Sequence, residues 1–335
     1  MRAAVYDRYG APEVVHIEER DEPGIGPDEV LVRVEATVVG ASESAARSGR
    51  PWFARLYFGV GKPKFPVLGT DFAGIVERVG DRVGRFSPGD LVFGAVGTEF
   101  GAHAELVKVA EHHVIAHVPP GLDAAEAVSS IDGFLTALPF LRDVARVRAG
   151  QAVLVNGASG TVGSAAVQLA KHLGATVVGV CSAAHAPLVA SLGADRVIDH
   201  TREDFTAVRG AYDVIFDAVG KRTFRQCRAA LADDGIYLTT VPSAAILVQM
   251  PLTRLLRRRR RAAIAFTGLR EETVKAGELA LLVELLETGG LVPVIDRIVP
   301  FEDIVEAHRR VDGGHKAGSV VVALSPALRP TEAAS

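Results

Sequence analysis

Three glycines, Gly157, Gly160 and Gly163, recur at three-residue spacing within the stretch QAVLVNGASGTVGSAAVQLAK, residues 151–171. Glycines so placed permit a tight turn, let backbone amides approach a pyrophosphate, and allow a helix to pack closely on a sheet. That chemistry needs a strand before the turn and a helix after it. Val153, Leu154 and Val155 form a short apolar run suited to a parallel strand covered on both faces. The residues from Thr161 onward predict a helix whose positive end, with Ser159, Thr161 and Val162, would cradle phosphates. Gly174 closes that helix, and ATVVGVC, residues 175–181, supplies a second β-branched strand, completing a βαβ unit. The spacing is not the more familiar Gly-x-Gly-x-x-Gly, so the flanking elements carry the assignment to dinucleotide binding. The competing reading is a plain tight turn in an α/β fold.

The end of the second strand selects the dinucleotide. An acid there would accept the ribose hydroxyls of NAD and repel a 2′-phosphate, whereas this chain has Cys181 followed by Ser182. His185, and His200 and Arg202 after the next strand (Arg196 to Asp199), lie close in sequence. A hydroxyl with one or two imidazoles suits a 2′-phosphate, so NADPH is expected over NADH. Against this, a lone histidine is commonly an ordinary surface residue.

With 335 residues, 48% hydrophobic and 23% charged, the chain can bury a large core and is expected to form two domains. A net charge of -3 offers no general attraction for nucleic acid. Two cysteines, Cys181 and Cys227, exclude a disulfide framework and fit a reducing compartment. The N-terminus MRAAVYDRYG lacks a signal-like apolar segment, and no run approaches the roughly 20 apolar residues that span a bilayer, so a soluble cytoplasmic protein is expected. Up to Val109 the segments are β-rich: Val30 to Val39, Phe72 to Val79, Asp90 to Val96 and Ala104 to Val109. After Pro119-Pro120-Gly121, helices alternate with strands at Tyr212 to Asp217, Gly235 to Val241 and Ala263 to Phe266, and a helix spans Glu271 to Glu287. The strands LVPVIDRIVPF and SVVVAL then return the chain to the first domain. The expected division is 1–122 with 290–325, 123–289 for the dinucleotide domain, and a disordered tail over 326–335.

MRAAVYDRYGAPEVV, PGDLVFG, the glycine stretch and PVIDRIVPFEDIVEAHRRVDGGHKAGSVVV follow one another in an order that resembles the medium-chain dehydrogenase/reductase superfamily, in its zinc-free quinone oxidoreductase-like branch. The resemblance implies an α/β architecture, with a Rossmann doubly wound parallel sheet inserted in a GroES-like β-rich catalytic domain. It also implies homodimers paired through the edges of the cofactor-domain sheets. Zinc-dependent alcohol dehydrogenases of this superfamily hold a metal through Cys, His and an acid. Here the first ligand segment, Val38 to Ser44, has no Cys, the Gly-His-Glu segment reads Gly69-Thr70-Asp71, and the four clustered cysteines of the structural zinc are missing. No metal is therefore expected; His103, His112, His113 and His117 would have to build any other site, and His112-His113 read as surface residues. A bare hydride donor suits a quinone or an activated C=C bond, because the receiving carbon is already electrophilic.

The resemblance further implies that Thr136 lies near the pyrophosphate or ribose, and that Val219, Val241 and Phe266 to Gly268 line the cofactor groove. A frequent Asn beside the nicotinamide is replaced by Gly40, with Glu43 at the acid position. Tyr57 is the best proton-donor candidate, since a phenol can donate to a developing enolate; the competing reading packs it with Trp52, Phe53 and Phe58. Asp132 reads as a helix N-terminal carboxylate without a chemical role. Five arginines, Arg257 to Arg261, follow Leu255 and Leu256. They suggest either a basic lid touching anionic lipid or a solvated segment. Rival functions are a zinc-free alcohol dehydrogenase or aldehyde reductase, and a non-enzymatic dinucleotide-binding sensor.

Overall fold

The computed structural model describes residues 1–256 and 259–328. Its strands are β1 (Arg2–Val5), β2 (His16–Glu19), β3 (Glu29–Val39), β4 (Asp71–Val79), β5 (Leu91–Ala95), β6 (Leu106–Ala110), β7 (Val114–His117), β8 (Ala152–Asn156), β9 (Thr176–Cys181), β10 (Arg196–Asp199), β11 (Tyr212–Asp217), β12 (Leu231–Thr239), β13 (Arg261–Ala263), β14 (Ile295–Pro300) and β15 (Ser319–Ala323). The helices are α1 (Ala41–Ser48), α2 (Arg55–Phe58), α3 (Ala124–Leu138), α4 (Thr161–His172), α5 (Ala186–Ser191), α6 (Phe224–Cys227), α7 (Ala244–Leu255), α8 (Glu272–Glu287) and α9 (Ile304–Asp312). Two compact units result. The first comprises residues 1–132, 268–288 and the chain from Pro293; the second comprises Gly133–Thr267 and Gly289–Val292.

The first unit is built on a seven-stranded sheet in the order β14-β15-β3-β4-β5-β7, with β6 also paired to β3. Only β14 and β15 run parallel; the other pairs are antiparallel. β3 is buried along nearly its whole length instead of alternating, and β4, β6 and β15 all pair with it. Val30, Val32 and Val34 on β3 join Phe72, Val92 and Val322 in the core. α8 packs on β7 and belongs to this unit, which corrects its expected place in the dinucleotide domain.

Polar side chains also lie in that core. His308 on α9 is fully buried, its ring 6.0 Å from that of buried His103, and neither of its nitrogens meets a partner among the described residues. Burial, then His103 and Arg47, hold His308 well below the ordinary imidazole value of 6.5. Burial also depresses His103, against an opposing pull from Glu43. The unfolded imidazoles take up protons first, so the stability they contribute is complete above pH 6.5 and is lost as pH falls from there toward the folded values. The loss reaches about 1.4 kcal/mol per pH unit for each group. His308→Leu is expected to flatten the acid side of the melting profile between about pH 7 and 5; thermal melts of both proteins, with equal slopes as the contrary result, check this.

The second unit is a six-stranded, all-parallel sheet in the order β10-β9-β8-β11-β12-β13. Read in chain order this is 3-2-1-4-5-6, the doubly wound arrangement, with its switch point between β8 and β11. The expected strand over Ala263 to Phe266 instead ends at Ala263, which leaves Phe266 beyond it. α3 continues through Pro139 into a π-helical turn to Ala145, since proline supplies no amide to the α-helical ladder. The combined 22 residues, Ala124–Ala145, are long and apolar enough to cross a bilayer by composition, contrary to the expectation from sequence. The most apolar window is 78% buried in protein, as befits a core helix. Of the tail expected to be disordered, Pro326–Leu328 forms a 3-10 turn and the rest lies outside the described residues, as do Arg257 and Arg258.

Candidate functional site

At the carboxyl end of β8 the chain turns through Gly157 at φ 82°, and the amides of Gly157 and Ala158 both donate to the Val180 carbonyl at 3.0 Å. A Cβ at Gly163 would lie 2.0 Å from the Gly157 carbonyl oxygen, so the first turn of α4 is pressed against the loop. At Gly160, the helix N-cap, a Cβ would meet nothing closer than 3.6 Å. The protein itself leaves that position open, as a cradle for a ligand requires. The first intrahelical bond of α4 runs from Ser164 N–H to the Gly160 carbonyl at 2.8 Å, so the amides of Val162 and Gly163 precede it at the positive end of the helix. α3 closes on the same turn: a Cβ at Gly133 would stand 2.5 Å from the Thr161 carbonyl oxygen. Thr136 follows one helical turn later.

Asp217, at the end of β11 and wholly buried, organises the neighbouring loop. Its Oδ1 accepts from Asn156 Nδ2 (2.9 Å) and from the amides of Val219 (3.1 Å) and Gly220 (2.9 Å). Its Oδ2 accepts from the Arg222 amide (3.3 Å) and faces the Tyr237 hydroxyl (2.9 Å). The loop so held lays Val219 against Gly157 and Gly220 against Val241, where added Cβ atoms would meet those valines at 2.4 and 2.6 Å. Gly157, Val219 and Val241 thus form one rim along the ends of β8, β11 and β12, with both valines partly exposed. Phe266 is half exposed beyond β13, and Gly268 belongs to the first unit. Sequence reasoning missed Asp217 and Gly133. An isolated glycine inside the apolar helix pattern at 133 was a signal of close packing.

The residues expected at a 2′-phosphate come together at the end of β9. His185 Nδ1 lies 3.2 Å from Ser159 Oγ and 3.4 Å from Ser182 Oγ. His200 donates Nδ1–H to the Cys181 carbonyl at 2.9 Å, which leaves its Nε2 to donate only when the ring is protonated. Burial, then Asp199, pushes the Cys181 thiol up to about 11, so it remains a neutral thiol. Asp199 stands beside Cys181 in the sheet register, a carboxylate nearer than the sequence suggested, but it accepts from the amide and hydroxyl of Thr201.

In the first unit the Gly40 segment is tied down by Glu43. Its Oε2 accepts from the Gly40 amide (2.9 Å) and Ser42 Oγ (2.8 Å), and its Oε1 from the Thr70 amide (3.1 Å) and hydroxyl (3.0 Å). Burial, then Asp132 and Glu43, pushes the Asp71 carboxyl well above the usual range, favouring its protonated form. Asp132 is not a helix N-terminal residue: α3 begins at Ala124, and Asp132 faces Gly40, where a Cβ would lie 3.5 Å from its Oδ2. These residues do not fit a zinc ion of the superfamily type, because position 40 has no donor atom and the Thr70 hydroxyl is spent on Glu43. Among the described residues no three His, Cys, Asp or Glu side chains converge as metal ligands. Tyr57 donates its hydroxyl to the Thr98 carbonyl at 3.1 Å and packs against Phe58 and Phe65, so its proton is already engaged.

Residues 26–120 match the family model of the alcohol dehydrogenase GroES-like domain, and residues 192–322 that of a zinc-binding dehydrogenase. The chain is 30% identical to quinone-oxidoreductase QR1, chloroplastic, of Triphysaria versicolor, over 96% of this chain and 98% of that protein. It is also 30% identical to the NADPH-dependent alkenal/one oxidoreductase, chloroplastic, of Arabidopsis thaliana, over 96% and 79%. The solved quinone oxidoreductase from Coxiella burnetii superposes with a TM-score of 0.84 at 27% identity, covering 97% of this chain and 99% of that one.

Proposed function

Because the chain belongs to the zinc-free quinone oxidoreductase-like branch of the medium-chain dehydrogenase/reductase superfamily, we propose that it uses NADPH to reduce quinones or C=C bonds conjugated to a carbonyl. It is an NAD(P)H-dependent oxidoreductase. The observation that carries the substrate class is the donor set at Gly40, Thr70 and Asp71: with no cysteine or histidine at these positions to complete a zinc set of the superfamily type, an acceptor already activated by conjugation is favoured.

A bound nicotinamide supplies the hydride. The chain's own part begins at the glycine turn, where amides of the α4 N-terminus receive the pyrophosphate and the openness at Gly160 admits it. Ser159, Ser182 and His185 offer hydroxyl and imidazole donors to a 2′-phosphate, and the acid nearest the end of β9, Asp199, accepts from Thr201. Asp217 holds Val219 at the rim so that the groove keeps its shape. Tyr57 is poorly placed as an acid while Thr98 accepts its proton.

The test follows NADPH and NADH oxidation with a panel of quinones, enones and aldehydes, before and after chelator treatment. Chelator-resistant reduction of quinones or enones, faster with NADPH, is expected. His185→Ala should cut kcat/KM about tenfold with NADPH and leave NADH turnover unchanged, as loss of one hydrogen bond to a charged group would. Chelator-sensitive aldehyde turnover would overturn the reaction class, and equal losses with both cofactors would overturn the role of His185.

A further inference from the structure

A cavity of about 450 Å³ lies in the first unit, between the loop of residues 9–12, the end of α1 and the end of α9. Its size falls in the range of small-molecule sites. Tyr9 and Pro12 give it an apolar wall, and its charged lining is Arg47, Arg50, Arg55 and Asp312. Three guanidiniums thus share the lining with one carboxylate.

That carboxylate is already engaged. Asp312 accepts from Arg47 Nη2 on one oxygen and from the Ser44 hydroxyl on the other, while buried Arg47 donates Nη1–H to the Gly10 carbonyl at 2.7 Å. Among the described residues neither Arg50 nor Arg55 meets an acid, so their charge is in excess. Arg55 is nevertheless held in place. Its Nε donates to the Gly49 carbonyl at 3.2 Å, and its guanidinium lies 4.6 Å from the centre of the Tyr9 ring, which is fixed in turn by the Tyr9 hydroxyl on the Gly59 carbonyl at 2.5 Å. Gly49, at φ 64°, makes room for this stack: a Cβ there would stand 2.6 Å from Arg55 Nε and 2.8 Å from the Tyr9 ring. With Nε used, the two Nη groups remain as a planar, pre-positioned fork of donors, the geometry that suits an oxyanion.

We propose that this cavity binds the dianionic phosphate group of a small phosphate monoester, with Arg55 and Arg50 donating to the phosphate and Tyr9 and Pro12 packing against the organic part. The cavity has room for more than a bare phosphate ion, and its apolar wall has no role toward one, so the ester is favoured over the free ion. A net charge of -3 draws no anion to the chain in general, so binding here reports the local arginines. The site lies wholly in the first unit, whereas the glycine turn belongs to the second, and it does not rest on the cofactor assignment.

Calorimetric titration of the full-length protein with phenyl phosphate and with inorganic phosphate, at about pH 8 and constant ionic strength, tests the proposal. Phenyl phosphate is expected to bind several-fold more tightly than inorganic phosphate. Arg50→Gln and, separately, Arg55→Gln should each weaken it about tenfold, as loss of a hydrogen bond between charged groups would. Arg55→Lys should not restore it, because an ammonium presents no planar fork. The exposed Arg50 side chain makes no hydrogen bond or ion pair among the described residues, so Arg50→Gln should melt like the parent. The proposal fails if phenyl phosphate does not bind, if inorganic phosphate binds as tightly, or if folded Arg50→Gln binds phenyl phosphate like the parent. It also fails if Ser159→Ala with His185→Ala abolishes the binding and the arginine variants do not, since the phosphate would then sit at the end of β9. None of these readouts uses NADPH, so they are separate from the test of the cofactor.

Discussion

Alanine at Gly160 is expected to leave the fold intact and weaken NADPH binding about tenfold or more, while alanine at Gly163 breaks the turn itself. The two positions differ in what a methyl group meets. At Gly163 it would stand 2.0 Å from the Gly157 carbonyl oxygen, inside any allowed contact, so α4 must move away from β8 at a cost of about 3 kcal/mol or more. At Gly160 the nearest protein atom is 3.6 Å away, an ordinary contact, and the methyl enters only the open space in which the proposed pyrophosphate would sit. NADPH titration and urea unfolding of both variants separate the effects. Parental NADPH affinity in Gly160→Ala would mean that the dinucleotide does not sit on this turn.

Asp217→Asn is expected to cost about 3 kcal/mol of stability and to loosen the cofactor groove, although it changes one atom in a residue that touches no ligand. Asp217 is surrounded by donors: three amides, the Asn156 amide group and the Tyr237 hydroxyl. Tyr237 can adapt, because its single proton can go to the Arg222 carbonyl at 2.7 Å while its oxygen accepts from an NH2 group. The amides cannot. Whichever way Asn is turned, its NH2 group faces at least one backbone N–H that has lost its acceptor, in a fully buried place. The urea midpoint should fall, and NADPH affinity should fall with it because Val219 is no longer fixed beside Gly157. Unchanged values of both would show that a neutral acceptor suffices.

Much of the second unit was legible because its strands are buried on both faces and bounded by polar residues. Arg196–Asp199 and Tyr212–Asp217 have the bounds that their apolar runs predict. The glycine turn was legible for the same reason that it works, since its neighbours on both sides are unmistakable strand and helix. Asp217 was hidden because an acid at a strand end is common, and only the fold reveals that five donors converge on it. α1 was hidden in a segment read for metal ligands; its start is signalled by Gly40 followed three residues later by Glu43, whose carboxylate reaches back to the Gly40 amide.

The tie between Glu43, Gly40 and Thr70 also constrains what this chain could become. A single change of Gly40 to cysteine would place its Cβ 3.1 Å from Glu43 Oε2 and 3.5 Å from Asp132 Oδ2, setting a thiol among carboxylates that resist its ionisation. A histidine at position 70 would remove one of the two donors to Glu43 Oε1, the hydroxyl, and keep the backbone amide. Each step toward a metal centre unsettles the segment before any metal can repay the loss, so the two replacements would have to arrive together with relief of Glu43. Replacing Gly40 or Thr70 alone therefore disturbs the contacts of Glu43, which ties both positions to one carboxylate.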